Sequence, residues 1–289
     1  MESKERISSQ NLEKVAELIP TILYKYRDWK KSYHRDILTK QELYFSSSSE
    51  FEDPFDCRFP VEIDFSYEAL FRFVANLKQF ERRGPINLSQ VQAEADYLYK
   101  RDFNTIEKRQ LKEKEFYKLF NNSLGIFCFA KRNNSPEMWE KYADHRQGFC
   151  VGVSLNSHYR YLAEKGVGGA DVTYVDEDHP RLKWVSTFQS KVGAMKFFFK
   201  MTMLKYRKWE FEDEYRLIKE HYLPYSIQPK LQDKKIPIPK SSYQEIIFGD
   251  KMPDSERRDI IEVCKNENLD VKFYTLQHDE AKHIVIANF

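Results

Sequence analysis

The chain has 289 residues, of which 41% are hydrophobic and 15% aromatic, enough to bury a substantial core as one large domain or two small ones. Its 47 basic and 45 acidic residues leave a net charge of +2, a balance that carries no strong nucleic-acid signal. With only 9 glycines and no GxGxxG or GxxxxGK[ST] pattern, neither a Rossmann nor a P-loop phosphate site is expected.

Cys57, Cys128, Cys150 and Cys264 are widely spaced and form no CxxC pair, which argues against a zinc ribbon or thioredoxin motif. The charged N-terminus lacks the apolar core of a signal peptide. No apolar run approaches the length of a membrane span. These features predict a soluble, cytoplasmic chain without a membrane partner.

In chain order, residues 11–18 read as a short amphipathic helix stopped before Pro20. Residues 21–26 read as a strand, with Tyr24 and Tyr26 on one face and Lys25 and Arg27 on the other. A loop into a short helix follows over 29–38, then a short strand at 43–45 and the serine run Ser46–Ser49. In Phe51–Asp56, Pro54 fixes its own φ and pushes Asp53 towards extended backbone. Asp53 and Asp56 then either cap turn amides or stand at a pocket rim.

Residues 67–122 carry helical periodicity and many charges, which predicts a helical insertion with a solvated face. Residues 124–130 read as a buried strand. Ser135, Pro136 and Glu137 make a helix start, with Met138, Trp139 and Tyr142 at helical spacing. Residues 149–155 form the next strand, and Cys128 and Cys150 are expected as buried thiols. A turn is predicted at 166–169, a strand at 171–175 and a helix over 192–206.

Residues 208–216, reading KWEFEDEYR, are expected as a strand that continues through Ile218. Alternation would place Glu210, Glu212, Glu214 and Arg216 on one face, with Arg216 as a built-in counter-ion. Residues 229–239 read as a connection. A strand at 246–249, a helix at 255–266 and strands at 271–276 and 284–286 close the chain. The interleaving predicts a single α+β domain over 1–289: a mixed or antiparallel sheet flanked by helices, with the helical insertion at 67–122.

Four stretches together carry a resemblance: LYKYR at 23–27, LYFSSSSEFEDPFD at 43–56, the CFA and MWEKYADHRQGFCVGV pieces within 128–153, and KWEFEDEYRL at 208–217. In this order they resemble a widespread bacterial family catalogued as domain of unknown function twenty-nine seventy-one. Glu52 stands where that pattern has Asn, and Ala130 where it has Ser. The family name supplies no activity.

The order Arg27, serine run, Glu-x-Glu also resembles mono-ADP-ribosyltransferases. That resemblance implies NAD as substrate, with Arg27 on a phosphate and Ser46 or Ser48 near the nicotinamide ribose. Glu214 would stabilise the developing ribosyl cation, and Glu212 would activate the acceptor nucleophile, whose identity is unknown. Tyr24, Tyr26, Trp139 or Tyr142 would stack on a ring. Arg27, Asp53, Trp139, Glu212 and Glu214 are expected to line one cleft.

Two alternatives use the same residues differently. In a metal-dependent nuclease or phosphoesterase, Asp53, Asp56, Glu212 and Glu214 would be oxygen ligands for magnesium. In a non-catalytic sensor or interaction module of stress or phage defence, Arg27, Asp53, Asp56, Glu212 and Arg216 would form a structural ion network.

Overall fold

The structure, a computed structural model, describes residues 14, 16–62, 66–81, 87–183, 191–221, 228–278 and 284–289. The helix expected over 11–18 therefore lies mostly outside the described residues.

Strand β1 (Leu23–Arg27) follows the predicted alternation, burying Leu23. Helix α1 (Ser32–Thr39) and the short β2 (Glu42–Tyr44) come next. A two-residue strand β3 (Val61–Glu62) precedes the charged helical region. That region contains α2 (Tyr67–Glu81), α3 (Leu88–Leu98) and α4 (Ile106–Ser123), with one π-helical turn at Tyr99–Phe103 between α3 and α4. The Asn87 side chain caps α3 and Thr105 caps α4, each satisfying amides that have no partner within the helix.

The chain then forms β4 (Leu124–Ala130), α5 (Pro136–Tyr142) and β5 (Phe149–Val153). Ser135 caps α5 and Pro136 opens it, as the sequence predicts. Next come α6 (Tyr159–Glu164), β6 (Val167–Asp171), β7 (Thr173–Val175), β8 (Leu182–Lys183), α7 (Lys191–Met203) and β9 (Leu204–Tyr206). Strands β10 (Glu214–Glu220), β11 (Lys235–Pro237) and β12 (Tyr243–Phe248), helix α8 (Asp254–Asn266) and strands β13 (Lys272–His278) and β14 (Ile284–Asn288) complete the fold.

Among the described residues, eight strands form one mixed sheet in the order β14-β13-β12-β5-β1-β4-β10-β6. Neighbours are antiparallel except for the β12–β13 pair. The predicted α+β class, a mixed sheet flanked by helices, is what the chain adopts. On one face, Leu23, Phe127, Phe129, Val151, Tyr215 and Leu217 join Leu38 of α1, Leu162 of α6 and Ile260 of α8 in the largest core cluster. On the other face, Met138 and Trp139 of α5 pack with Tyr26, Cys150 and Ile247. Phe116 and Phe120 of α4 pack with Phe197 and Met201 of α7. Helices α2 and α3 have a core of their own, around Leu70, Val74, Val91 and Ala95. No helix among the described residues is long and apolar enough to cross a membrane.

Several predicted elements differ; the connection expected over 229–239, for one, contains β11, paired with β2. Residues Arg207–Glu212 form a 3-10 helix, and the strand begins only at Glu214. Asp213 between them is left-handed, with φ of 41°. Consequently Glu210 does not share a strand face with Glu214; it is exposed and pairs with Arg207 at 3.1 Å. Of the turn expected at 166–169, only Gly166 is in a turn, with φ of 74°; strand β6 begins at Val167 and pairs with β10. The helix expected over 192–206 ends at Met203 and hands over to β9, which pairs with β7.

Candidate functional site

Strand β1 is fully paired with β5 along one edge, and β4 is fully paired with β10. Between them, β1 and β4 share one register pair, Tyr24↔Ala130, and then part. The chain after β2 enters this fork. Ser46 N–H donates to the Ile126 carbonyl at 2.9 Å, and Ile126 N–H donates to the Ser46 carbonyl at 2.8 Å. The fork opens into a cavity of about 780 Å³ walled by Lys25, Arg27, Ser46, Phe127, Glu212 and Glu214, among others. That volume falls within the usual range for small-molecule sites.

Strand β1 contributes two cations to the wall. The Lys25 ammonium donates to the Cys128 carbonyl at 2.6 Å and lies 4.8 Å from the Phe127 ring centroid. The Arg27 guanidinium lies 5.9 Å from the same ring. Arg27 Nε is buried without a hydrogen-bond partner. Among the described residues no carboxylate forms an ion pair with either cation. Burial draws the Lys25 ammonium down to about 8, and the neighbouring Arg27 adds to this. Burial also draws Arg27 down to about 10. A half-buried cation without a carboxylate partner is held at a cost, so an anionic ligand beside these two relieves an existing penalty.

Within electrostatic reach of Lys25 is a buried ion cluster. Lys205 Nζ lies 2.9 Å from Asp56 Oδ2 and 3.1 Å from Glu214 Oε2, and it also pairs with Glu212 Oε2. The Arg216 guanidinium grips Glu214 through Nε–Oε1 at 2.6 Å and Nη2–Oε2 at 2.8 Å. Its Nη2 also reaches Asp56 Oδ1 at 2.8 Å, and Nη1 donates to Cys57 Sγ at 2.7 Å and to the Thr202 carbonyl. The Tyr142 hydroxyl donates to Glu212 Oε1.

Burial alone would raise both glutamates, but their surroundings separate them. Arg216 and then Lys205 overcome burial at Glu214 and hold it well below the usual carboxylate range. At Glu212, burial outweighs Lys205, and the adjacent Glu214 charge adds to the upward push. One carboxylate is thus fixed as an anion while its neighbour is a stronger base, a division of properties that suits acid–base and electrostatic roles.

The backbone strain lies beside this cluster. Cys57 and Asp213, both non-glycine residues with positive φ (52° and 41°), follow Asp56 and Glu212 directly. The left-handed Asp213 ends the 3-10 helix and redirects the chain, so that Glu212 and Glu214 approach Lys205 from two different elements. Such strain persists only where surrounding contacts enforce it.

Of the residues singled out from sequence, Tyr24, Tyr26, Arg27, Ser46, Asp53, Asp56, Tyr142, Glu212 and Glu214 line the cavity. Ser48, Trp139 and Arg216 do not line it. Ser48 turns its hydroxyl to Asn121 at 3.2 Å. Trp139 is fully buried, donates its indole N–H to the Asn133 carbonyl at 2.8 Å and meets Tyr26 edge-on. The expectation that it lines the cleft is corrected: it packs α5 against the sheet. Arg216 lies behind Glu214 with no exposed surface. Neither Arg27 nor Asp53 belongs to the ion cluster. Cys128 also differs from expectation: it is partly exposed on the cavity rather than buried.

Lys25, Lys205 and Trp209 were not singled out as site residues. Lys25 was legible as the neighbour of Arg27 on one strand face. Lys205 gave no local signal, reading as one of several lysines along a helix. The carboxylates proposed as magnesium ligands do not surround an open position, because Asp56, Glu212 and Glu214 converge on the Lys205 ammonium. A divalent ion would have to displace that cation.

Chemically, the cavity wall carries two cations without a carboxylate ion-pair partner and an anchored pair of carboxylates. No family model, no curated protein and no solved structure matches the chain.

Proposed function

We propose that the cleft binds NAD and cleaves its N-glycosidic bond, passing ADP-ribose to water or to an acceptor. The observation that carries this reading is that both kinds of charge stand on the wall of one continuous cavity. Lys25 and Arg27 line it without a carboxylate ion-pair partner. In the neighbouring ion cluster Asp56, Glu212 and Glu214 outnumber Lys205 and Arg216 by one charge, and Asp53 adds a further carboxylate to the wall. NAD has the matching polarity: an anionic diphosphate and a cationic pyridinium. Electrostatic complementarity of this kind fixes a ligand's orientation.

In this reading the diphosphate lies against Arg27 and Lys25, and Ser46 contributes a hydroxyl from the cavity wall. The bond from ribose C1′ to the pyridinium nitrogen breaks. Its electron pair stays on nitrogen, so nicotinamide leaves neutral and positive charge develops on the ribose. The Glu214 carboxylate, held ionised by Arg216 and Lys205, stabilises that charge without having to reorganise. The incoming nucleophile gives its proton to Glu212, whose raised pKa makes it the better base of the two.

Arg27→Ala is the informative variant, because Arg27 stands outside the ion cluster and its loss leaves that cluster intact. The wild type is expected to be stabilised thermally by NAD and to release nicotinamide. Arg27→Ala should fold, and should lose affinity for NAD by roughly tenfold or more, as expected for removal of a charge-assisted phosphate contact. Glu212→Gln should retain NAD binding and slow nicotinamide release. A folded wild type that shows neither an NAD-dependent shift in Tm nor nicotinamide release would defeat the reading.

A further inference from the structure

Beyond Arg27 Nε, two other polar atoms in the cavity wall are buried without a partner: the carboxylate oxygen Oδ2 of Asp53 and the indole Nε1–H of Trp209. Asp53 is 8% exposed. Its other oxygen, Oδ1, accepts from the Phe55 amide at 3.1 Å, which fixes the carboxylate and leaves Oδ2 as a bare acceptor. Trp209 sits in the 3-10 helix that delivers Glu212. Its ring has Lys141 at 4.6 Å and Lys205 at 5.5 Å. Those two lysines also tie the ring to the Asp53 loop, since Lys141 pairs with Glu52 at 2.9 Å and Lys205 with Asp56 at 2.9 Å. Trp209 and the Asp53 loop therefore both stand beside the buried ion cluster.

A fixed acceptor and a fixed donor, both desolvated, match a group that has one donor and one acceptor of its own. Leaving either unpaired costs about 1–3 kcal/mol. A primary carboxamide fits both: its N–H₂ donates and its oxygen accepts. A carboxylate offers no donor to Asp53 and adds another negative charge where carboxylates are already in excess. We infer that Asp53 and Trp209 form a carboxamide-reading subsite, which makes the cleft selective for the amide form of a pyridine dinucleotide over the acid form. The inference rests on the NAD reading of the same cavity and adds the determinant of specificity.

The test compares NAD with nicotinic acid adenine dinucleotide, which differs only in carrying carboxylate in place of carboxamide. Binding is read by calorimetry on the full chain. The wild type is expected to prefer NAD by at least roughly tenfold, because a site built on polar partners rejects an analogue that leaves them unpaired. Asp53→Asn removes the negative charge and supplies an N–H, so it should bring the two affinities within about threefold of each other. Trp209→Phe keeps an aromatic ring beside the lysines and should weaken NAD binding several-fold through loss of the N–H.

Equal affinity of the wild type for the two dinucleotides would overturn the subsite. An Asp53→Asn protein with an unchanged preference would overturn it as well. If NAD is bound and cleaved without discrimination, the subsite alone fails and the NAD reading stands. If neither dinucleotide binds, both fail together.

Discussion

Arg216 has no exposed surface and spreads its guanidinium over Glu214, Asp56, Cys57 and the Thr202 carbonyl. Arg216→Met would leave Glu214 and Asp56 dependent on Lys205 alone. Breaking a buried pair in this way typically costs about 3–5 kcal/mol, and urea denaturation of the variant should show a loss of that size. Lys25 behaves in the opposite sense. Its pKa of about 8 is below the unfolded value of about 10.4, so between those pH values the unfolded chain binds more protons than the folded one. Stability must then rise with pH through that window as the penalty for a buried charge disappears. Lys25→Met should therefore stabilise the protein at pH 7 by roughly 1–2 kcal/mol, allowing for solvent that reaches the ammonium through the cleft. The gain should fade by about pH 10.4, where the wild-type amine is itself neutral. Urea titrations of both proteins at pH 7 and pH 10 measure this directly; a gain that stays constant with pH would show that Lys25 is not held against its charge.

At the scale of the element, the position of β1 depends on a glycine. A Cβ on Gly148 would lie 2.1 Å from the Arg27 carbonyl oxygen and 2.9 Å from that of Ala143. Both are backbone atoms, so relief requires moving the end of β1, where Arg27 stands. Gly148→Ala should cost roughly 2–3 kcal/mol in urea denaturation and should also weaken NAD binding. Elements with a local cause were legible in the sequence. The Ser135 cap and Pro136 mark α5, and the alternation of Tyr24 and Tyr26 against Lys25 and Arg27 marks β1. The segment around Glu212 was not legible, because its pattern fits a strand and what breaks it is Asp213 in the left-handed region. Strand β6 was hidden because Gly168 and Gly169 offer no side chain to show a period. Its need for glycine becomes visible only against β10, where a Cβ on Gly169 would lie 2.8 Å from both Leu217 and Tyr215 side-chain atoms. Arg27, Asp53, Asp56, Glu212 and Glu214 could be listed from sequence as chemistry-bearing residues. Lys205, the central partner of Asp56, Glu212 and Glu214, could not, since its role arises from separate chain segments folding onto it.

Across the whole molecule, the sheet is two paired groups joined at one register point. Strands β14, β13, β12, β5 and β1 form one group, and β4, β10 and β6 the other, with Tyr24↔Ala130 between them. The cavity occupies the gap where continuous ladder hydrogen bonds would otherwise run. A ligand bound as proposed would contact Arg27 and Lys25 on one group and Glu214 on the other, and would so couple the two across the fork. Local opening is governed by how many buried contacts and protected amides a segment has. Amides of β4 around Cys128, which face the fork, should therefore exchange faster in the free protein than those of β5, which is paired on both edges. On addition of NAD, hydrogen exchange should slow in β4 and in the Ser46 segment together. It should remain unchanged in α2 and α3, whose core around Leu70 and Val91 is separate. Slowing confined to one side of the fork would mean that the ligand does not span it, and the two sets of charges would then serve different molecules.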